Sequence, residues 1–212
     1  MENDEDVQDV QHVQNMISNV ENVLGNTAIS SGNTIVICGI IVTLITGNIL
    51  GIIFSTSVVT SALINVGLKK TLKYFFPNVL FFKRPEISKR GCGISRKCLQ
   101  RAIQNPTTQP DAQGMPSGHS QTVAFASTFW ILYIWRYLRH TKKYNSYMLW
   151  PSTIILLLLG ISVMISRSFL VENCHSLPQI LIGGLIGVAL AFLFYWLIEK
   201  YKPSWLGEPV NQ

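Results

Sequence analysis

Charged residues are scarce in this chain of 212 residues, and acidic residues are the scarcest. Only 13% of the residues are charged, and 11 Asp and Glu stand against 17 Lys and Arg, which gives a net charge of +6. Hydrophobic residues make up 48% of the chain, and its mean hydropathy is +0.31. This composition argues against a soluble domain and favours a membrane protein.

The first 33 residues lack Lys and Arg and hold six of the eleven acids. A secretory signal begins with positive residues, so this segment does not fit one. Its apolar residues recur at steps of three and four, which is the period of one helix face. The pattern predicts an acidic amphipathic segment at residues 1–33 that binds the membrane surface or a partner protein; a partly ordered acidic tail is the alternative. The apolar positions are Val7, Val10, Val13, Ile17, Val20 and Leu24.

Four apolar stretches follow, and each is close to the roughly 20 residues that a membrane-spanning helix needs. The first is long enough for a hairpin of two short helices that turns near Gly47, Asn48 and Gly51. We therefore expect an all-α integral membrane bundle of four to five transmembrane helices at residues 34–200, followed by a C-terminal tail at 201–212. The stretches are Thr34–Leu68, Gln121–Leu138, Ser152–Ile165 and Ile180–Ile198.

Positive charge is concentrated between the first two stretches, where Lys69 to Arg101 includes ten Lys and Arg against one acid, Glu86. Such a run is typical of a solvated loop or of a surface that attracts anionic lipid headgroups. Nucleic acid is not expected as a partner, because no recognisable binding module is present. If the apolar stretches are counted as crossings, this loop lies on the same membrane face as residues 116–119 and 166–175.

The sequence PSGH at residues 116–119 precedes the second apolar stretch. Ser117 is a favourable helix N-cap, and Pro116 stops the helix from extending upstream. The backbone N–H groups of a helix start, next to Gly118 and His119, also suit an oxyanion or a phosphate. The sequence therefore predicts both a helix start and a candidate anion site here.

Three short motifs resemble those of the type-2 phosphatidic acid phosphatase superfamily. They are Arg84-Pro85, the PSGH sequence, and Ser166-Arg167 with His175. The resemblance covers about Lys69 to Ile198, and PSGH is its most specific part. Within the superfamily, GMPSGHSQ and HSLPQILIGGLIG are most similar to dolichyl-diphosphatase. That branch has Gln four residues after the third-motif His, as at Gln179 here, where most members have Asp.

Two spacings depart from the family pattern. The family has a Lys seven residues before the first-motif Arg, and Pro77 occupies that position here. Lys73 would require an insertion of about one helical turn and Lys69 about two, so the sequence favours Lys73. In addition, seven residues separate Arg167 from His175, where the family has five.

The resemblance implies a role for each of these residues. His175 would attack phosphorus to form a phosphohistidine, and His119 would protonate the leaving oxygen and then activate water. Gln179 would orient His175, and because an amide has no charge, the pKa of His175 would be lower than in members that carry Asp. Arg167 would act with the two histidines, and the phosphate would be bound by Lys73, Arg84, Ser117 and Gly118.

These features predict a metal-independent phosphatase, without a cofactor, that hydrolyses a lipid phosphate or an isoprenoid, dolichyl-like diphosphate in the membrane. The alternative is a catalytically degenerate scaffold or lipid-binding protein. A transporter is less favoured, because the apolar segments lack an ionisable pair. Cations flank the side opposite the site, which favours a lumenal site in the endoplasmic reticulum by the positive-inside rule, although the basic loop favours the reverse. These flanking cations are Arg136, Arg139, Lys142, Lys143, Lys200 and Lys202.

Overall fold

The computed structural model describes residues 32–45, 47–77, 79–83, 113–140, 147, 149–165 and 175–206, with the backbone alone at 137–140. The acidic N-terminal segment lies outside this range, apart from its last two residues. Arg84, Arg167 and most of the basic loop also lie outside it. The predictions that concern these residues therefore remain predictions.

The described residues form five α-helices and two short 3₁₀ helices and include no β-strand, so the all-α prediction is confirmed for them. The predicted stretch Thr34–Leu68 spans two helices and the turn between them, and the other three predicted stretches each lie within one α-helix. Lys69 to Phe75, however, continues a helix instead of starting the basic loop. The helices are α1 (Gly32–Ile45), α2 (Leu50–Phe75), α3 (Gly118–His140), α4 (Leu149–Ile165) and α5 (Leu177–Tyr201), with 3₁₀ helices at Leu80–Phe82 and Pro203–Leu206.

A tight turn joins α1 to α2, where the hairpin was predicted. Gly47 has a φ of 66°, a conformation that only glycine adopts at little cost. Gly39 and Gly51 face each other across the hairpin, and a Cβ on Gly51 would collide with the Gly39 carbonyl oxygen. The Ser55 hydroxyl donates to the Val36 carbonyl at 2.9 Å. The turn is as predicted, but α2 has 26 residues and is not a short helix.

Helices α3 and α5 pack with their backbones in close approach, because α5 presents glycines to α3. A Cβ on Gly187 would collide with the Gln121 carbonyl oxygen and would lie 3.0 Å from the Phe125 nitrogen. A Cβ on Gly183 would lie 2.5 Å from the Ser117 carbonyl oxygen. Small residues at such contacts let membrane helices approach closely. The start of α3 is therefore set directly against α5.

The two ends of the bundle differ in what they bury. We call the end that holds residues 116–119 the PSGH end, and the opposite end, where α2 begins and α5 finishes, the far end. The apolar core lies toward the far end, where Phe54, Phe129 and Tyr195 pack together. Leu206, in the predicted C-terminal tail, is buried in this core, so the folded region extends past residue 200.

Two helices, α2 and α5, are long and apolar enough to cross a membrane, whereas α1 and α4 are shorter apolar helices. Only 44% of the apolar window of α2 and 33% of that of α5 are buried inside the protein. The core helix of a soluble protein would bury most of such a window, so these exposed apolar faces favour contact with lipid. A membrane bundle fits the structure, and the number of four to five spans stays a prediction.

The contact at Gly187 gives a test of the α3–α5 packing. Gly187→Ala should destabilise the protein by about 1–3 kcal/mol, because the backbone of α3 must move away from the new methyl group. In a chain of this size we expect the Tm in detergent to fall by about 5 °C. Gly184→Ala is the matched control in the same helix, because its Cβ would meet only the flexible Met164 side chain at 3.4 Å. Equal Tm values for the two variants would contradict this packing.

Candidate functional site

The starts of α3 and α5 meet at the PSGH end. Ser117 is the N-cap of α3, and its hydroxyl accepts hydrogen bonds from the N–H of Ser120 at 3.5 Å and from the hydroxyl of Ser120 at 3.0 Å. The Ser117 N–H donates to the carbonyl of Gln179 in the first turn of α5, at 3.1 Å. This bond joins the PSGH motif to the start of α5, and the cap formed by the Ser117 hydroxyl confirms the predicted helix start.

Gln179 connects the elements around this junction through its side chain. Its Nε2 donates to the carbonyl oxygens of Phe81 at 3.1 Å and Lys83 at 2.8 Å. Its Oε1 lies 3.3 Å from Nδ1 of His175 and accepts a hydrogen bond from the Ser176 N–H at 3.4 Å. The side chain is only 1% exposed. One buried amide therefore links His175 to Phe81 and Lys83, which stand three residues and one residue before Arg84 in the sequence.

This network fixes the orientation of the Gln179 amide and the tautomer of His175. Carbonyl oxygens only accept hydrogen bonds, so the NH₂ group of Gln179 must face Phe81 and Lys83, and its oxygen must face His175. An amide oxygen also only accepts, so Nδ1 of His175 carries the proton. The neutral ring then has its lone pair on Nε2, which is the nitrogen that a nucleophilic histidine would use.

Gly114 makes room for the Gln179 side chain. A Cβ at this position would lie 2.5 Å from Oε1 and 2.9 Å from Nε2 of Gln179. The N–H groups of Gly114 and Met115 donate to the Phe82 carbonyl at 2.8 and 3.2 Å. The segment before PSGH and the segment before Arg84 are thus hydrogen bonded to each other as well as to α5.

A second amide network lies beneath the PSGH turn, between α2 and α3. Nδ2 of Asn65 donates to Oε1 of Gln121 at 2.8 Å and to the Pro116 carbonyl at 3.4 Å. Nε2 of Gln121 donates to the carbonyl and the hydroxyl of Ser61, at 2.7 and 3.0 Å. All three side chains are buried. This network holds α2 against the start of α3, with the Asn65 amide next to Gly118.

The two candidate histidines share this end and are both buried, with His119 8% and His175 4% exposed. Within the described residues the only acid is Glu199, which pairs with Arg136 at the far end at 3.3 Å. No group of three His, Cys, Asp or Glu suited to a metal ion occurs in that part of the chain. The described surroundings of the histidines therefore contain amides, hydroxyls and backbone groups but no carboxylate.

The structure brings together most of the predicted site residues that it describes. Ser117, Gly118, His119, His175 and Gln179 lie at the junction of α3 and α5. Lys73 is exposed in the last turn of α2, whereas Lys69 is partly buried one turn beyond Asn65.

Several residues that shape this site had no predicted role in it, namely Ser61, Asn65, Gly114, Gln121 and the carbonyls of Phe81 and Lys83. Gly114 and Gln121 belong to the stretch GMPSGHSQ, which carries the resemblance to dolichyl-diphosphatase, but the resemblance assigned no role to either residue. Ser61 and Asn65 give a weak signal as polar residues in an apolar helix. Backbone carbonyls give no sequence signal at all.

Comparison with known proteins adds a family assignment. The model of the PAP2 superfamily matches residues 50–203, which is more than half of the chain and includes α2 to α5. No curated protein and no solved structure matches the chain. The matched region contains the junction of α3 and α5 and all the motifs from which the same superfamily was predicted. The chain therefore belongs to the PAP2 superfamily.

Proposed function

We propose that this protein is a membrane phosphatase that hydrolyses a lipid phosphate or diphosphate through a phosphohistidine. Membership of the PAP2 superfamily supports phosphatase activity on lipid phosphates. The observation that carries the mechanism is the Gln179 network, in which an amide oxygen 3.3 Å from Nδ1 of His175 leaves the lone pair on Nε2. A buried histidine held in one tautomer is prepared to act as a nucleophile.

The reaction proceeds in two steps at phosphorus. Nε2 of His175 attacks the phosphoryl group as the bond to the leaving oxygen breaks, and His119 donates a proton to that oxygen. Neutral His119 then removes a proton from water as the water oxygen attacks phosphorus. The bond between phosphorus and nitrogen breaks and inorganic phosphate is released. Imidazole suits both roles of His119, because its ordinary pKa of about 6.5 makes both protonation states available near neutral pH.

The phosphate is held by the start of α3 and by cations. The Ser117 N–H already donates to Gln179, so the binding groups offered by the helix start are the Gly118 N–H and the Ser117 O–H. Arg84 and Arg167 add planar donor pairs that match phosphate oxygens. We take Lys69 in preference to Lys73 as the first-motif lysine, because it is one turn beyond Asn65 and partly buried.

The substrate we propose is an isoprenoid, dolichyl-like diphosphate, and the reaction needs no metal. The resemblance of GMPSGHSQ and HSLPQILIGGLIG to dolichyl-diphosphatase supports the substrate. The neutralising charge comes from cationic side chains, since the acids outside the N-terminal segment are few and scattered. Magnesium would require several carboxylate ligands at one place.

The site faces the lumen or the cell exterior in this proposal. All five Trp lie in the halves of α3, α4, α5 and the last 3₁₀ helix toward the far end. Trp at the membrane–water interface anchors a bundle, and neighbouring Lys and Arg favour the cytoplasmic side. Lys200 stacks over Trp196 at 4.8 Å, which places a cation within this aromatic layer. Localisation to the endoplasmic reticulum is part of the same proposal.

A catalytically degenerate scaffold is the second candidate, favoured by the two additional residues between Arg167 and His175. Purified protein separates the candidates, because only the first releases phosphate from a polyprenyl diphosphate or from phosphatidate in detergent.

Replacing either histidine should stop or slow this phosphate release. His175→Ala removes the nucleophile and should abolish activity, and His119→Ala should lower kcat by about 100-fold or more. His140→Ala is the matched control, because His140 ends α3 about 30 Å from His119. Full activity in a folded His175→Ala variant would refute the phosphohistidine mechanism.

Gln179→Glu should change the pH–rate profile. The carboxylate favours the protonated ring and raises the pKa of His175, so a higher pH is needed to obtain the neutral nucleophile. The acidic limb of kcat/KM should therefore move to higher pH. Like Gln179→Glu, Gln179→Met loses the hydrogen bonds to the two carbonyls, and it also loses the one to His175 but adds no charge, so it should lower the rate without moving the acidic limb. An identical profile for wild type and Gln179→Glu would show that residue 179 does not interact with the nucleophile.

Activity should persist in excess chelator and should be inhibited by vanadate. A vanadate adduct of the histidine nitrogen resembles the trigonal bipyramidal transition state, so inhibition should be competitive. The measurement is phosphate release with and without chelator, with magnesium added back. Activity that chelator removes and magnesium restores would contradict the metal-free reaction, and a preference for phosphatidate would contradict the isoprenoid substrate.

A further inference from the structure

The chain between α2 and the Arg84 motif exposes a run of aromatic and aliphatic side chains at the PSGH end. We call the described residues from Tyr74 to Phe82 the aromatic segment. Leu80 is 77% exposed, Phe81 50% and Phe76 48%. Exposed apolar side chains in such a run are typical of a surface that binds a hydrophobic partner.

The end of this segment, at Phe81 and Phe82, is held through its backbone, although most of the segment's side chains are exposed. The carbonyls of Phe81 and Lys83 accept hydrogen bonds from Gln179, and the carbonyl of Phe82 accepts from Gly114 and Met115. The ring of Phe82 contacts Phe76 at 5.5 Å and Phe81 at 5.6 Å between centroids. Phe76, Phe81 and Phe82 therefore form one group of contacting rings, and the backbone carbonyl of Phe81 is hydrogen bonded to the amide that holds His175.

The composition of the segment distinguishes it from the aromatic layer at the far end. Interfacial anchoring relies on Trp and Tyr, whose polar edges reach the headgroups. All five Trp belong to the far end, whereas the aromatic segment contains Phe and one Tyr. A Phe side chain has no hydrogen-bonding group, and it prefers contact with hydrocarbon.

Charge and apolar surface also meet at this place. Lys70 and Lys73 in the last two turns of α2 are exposed beside the aromatic segment, and Lys83 follows it. A ligand suited to this surface has an anionic head and a long hydrocarbon chain. We propose that the aromatic segment is the chain-binding subsite for the lipid substrate, with the hydrocarbon lying along Phe76, Leu80 and Phe81 and the phosphate at His175. This inference rests on the proposed function and adds the site that recognises the lipid chain.

Kinetics with two diphosphates of different chain length test the subsite in the full-length protein. Phe76→Ala and Leu80→Ala should lower the ratio of kcat/KM for a long polyprenyl diphosphate to kcat/KM for isopentenyl diphosphate by about tenfold, which corresponds to about 1.4 kcal/mol. The short substrate does not reach these residues. Phe192→Ala is the matched control, since Phe192 is 53% exposed on α5, and its ratio should stay at the wild-type value. An unchanged ratio in Phe76→Ala and Leu80→Ala would overturn the subsite.

Photolabelling decides the same point without catalysis. The probe is a non-hydrolysable phosphonate analogue of a long-chain lipid phosphate with a diazirine in its chain, added to wild-type protein in detergent. We expect cross-links at residues 74–82 that an excess of the same phosphonate without diazirine removes. A diazirine probe ending in an alcohol should give no such competed cross-links. Labelling of the segment that is not competed, or competed labelling elsewhere, would overturn the proposal. A protein that hydrolyses neither these diphosphates nor phosphatidate but shows the competed cross-links would refute the proposed activity and leave the subsite supported.

Discussion

A single side-chain amide, that of Gln179, must satisfy two backbone carbonyls and one imidazole at once, and the arrangement of the candidate site depends on it. Its NH₂ group donates hydrogen bonds to the carbonyls of Phe81 and Lys83, and its oxygen accepts a hydrogen bond from Nδ1–H of His175. A carboxylate at this position would orient the imidazole but would have no hydrogen to give to the carbonyls. The glutamine therefore does more than replace the aspartate of most superfamily members by an uncharged group of similar shape, because its NH₂ group also positions the backbone of Phe81 and Lys83, just before Arg84 in the sequence.

The rest of the bundle supplies rigid surroundings for that amide. Within a membrane there is little water to satisfy polar groups, so those inside must bond to one another. The buried network of Ser61, Asn65 and Gln121 meets this condition between α2 and α3, and the glycines of α5 allow the backbones of α3 and α5 to touch. Buried networks that are fully satisfied favour one packing arrangement over its neighbours. The helix that carries His119 and the helix that follows His175 are thus fixed at the level of the backbone.

Sequence reasoning predicted the parts of this structure that depend on local pattern. The lengths of the apolar runs predicted the helices, Gly47 indicated the hairpin turn, and Ser117 indicated the start of α3. The predicted end of α2 at Leu68 was wrong, because Lys69, Lys70 and Lys73 were interpreted as part of a loop. Lysine is a good helix former, and the helix continues to Phe75. The partners of Gln179 could not be predicted, since they are backbone carbonyls whose positions depend on how separate segments pack. For the same reason, the exposure of Lys73 and the partial burial of Lys69 became visible only in three dimensions.

The uneven distribution of tryptophan has a consequence for spectroscopy. All five indoles lie toward the far end, with Trp135 and Trp150 in edge-to-face contact at 5.6 Å. Intrinsic fluorescence excited in the indole band therefore reports on the layer remote from His119 and His175. A ligand at the histidines has no indole beside it among the described residues. An emission change on ligand binding would then reveal movement transmitted along α3 or α5, and it would not be a direct signal of occupancy.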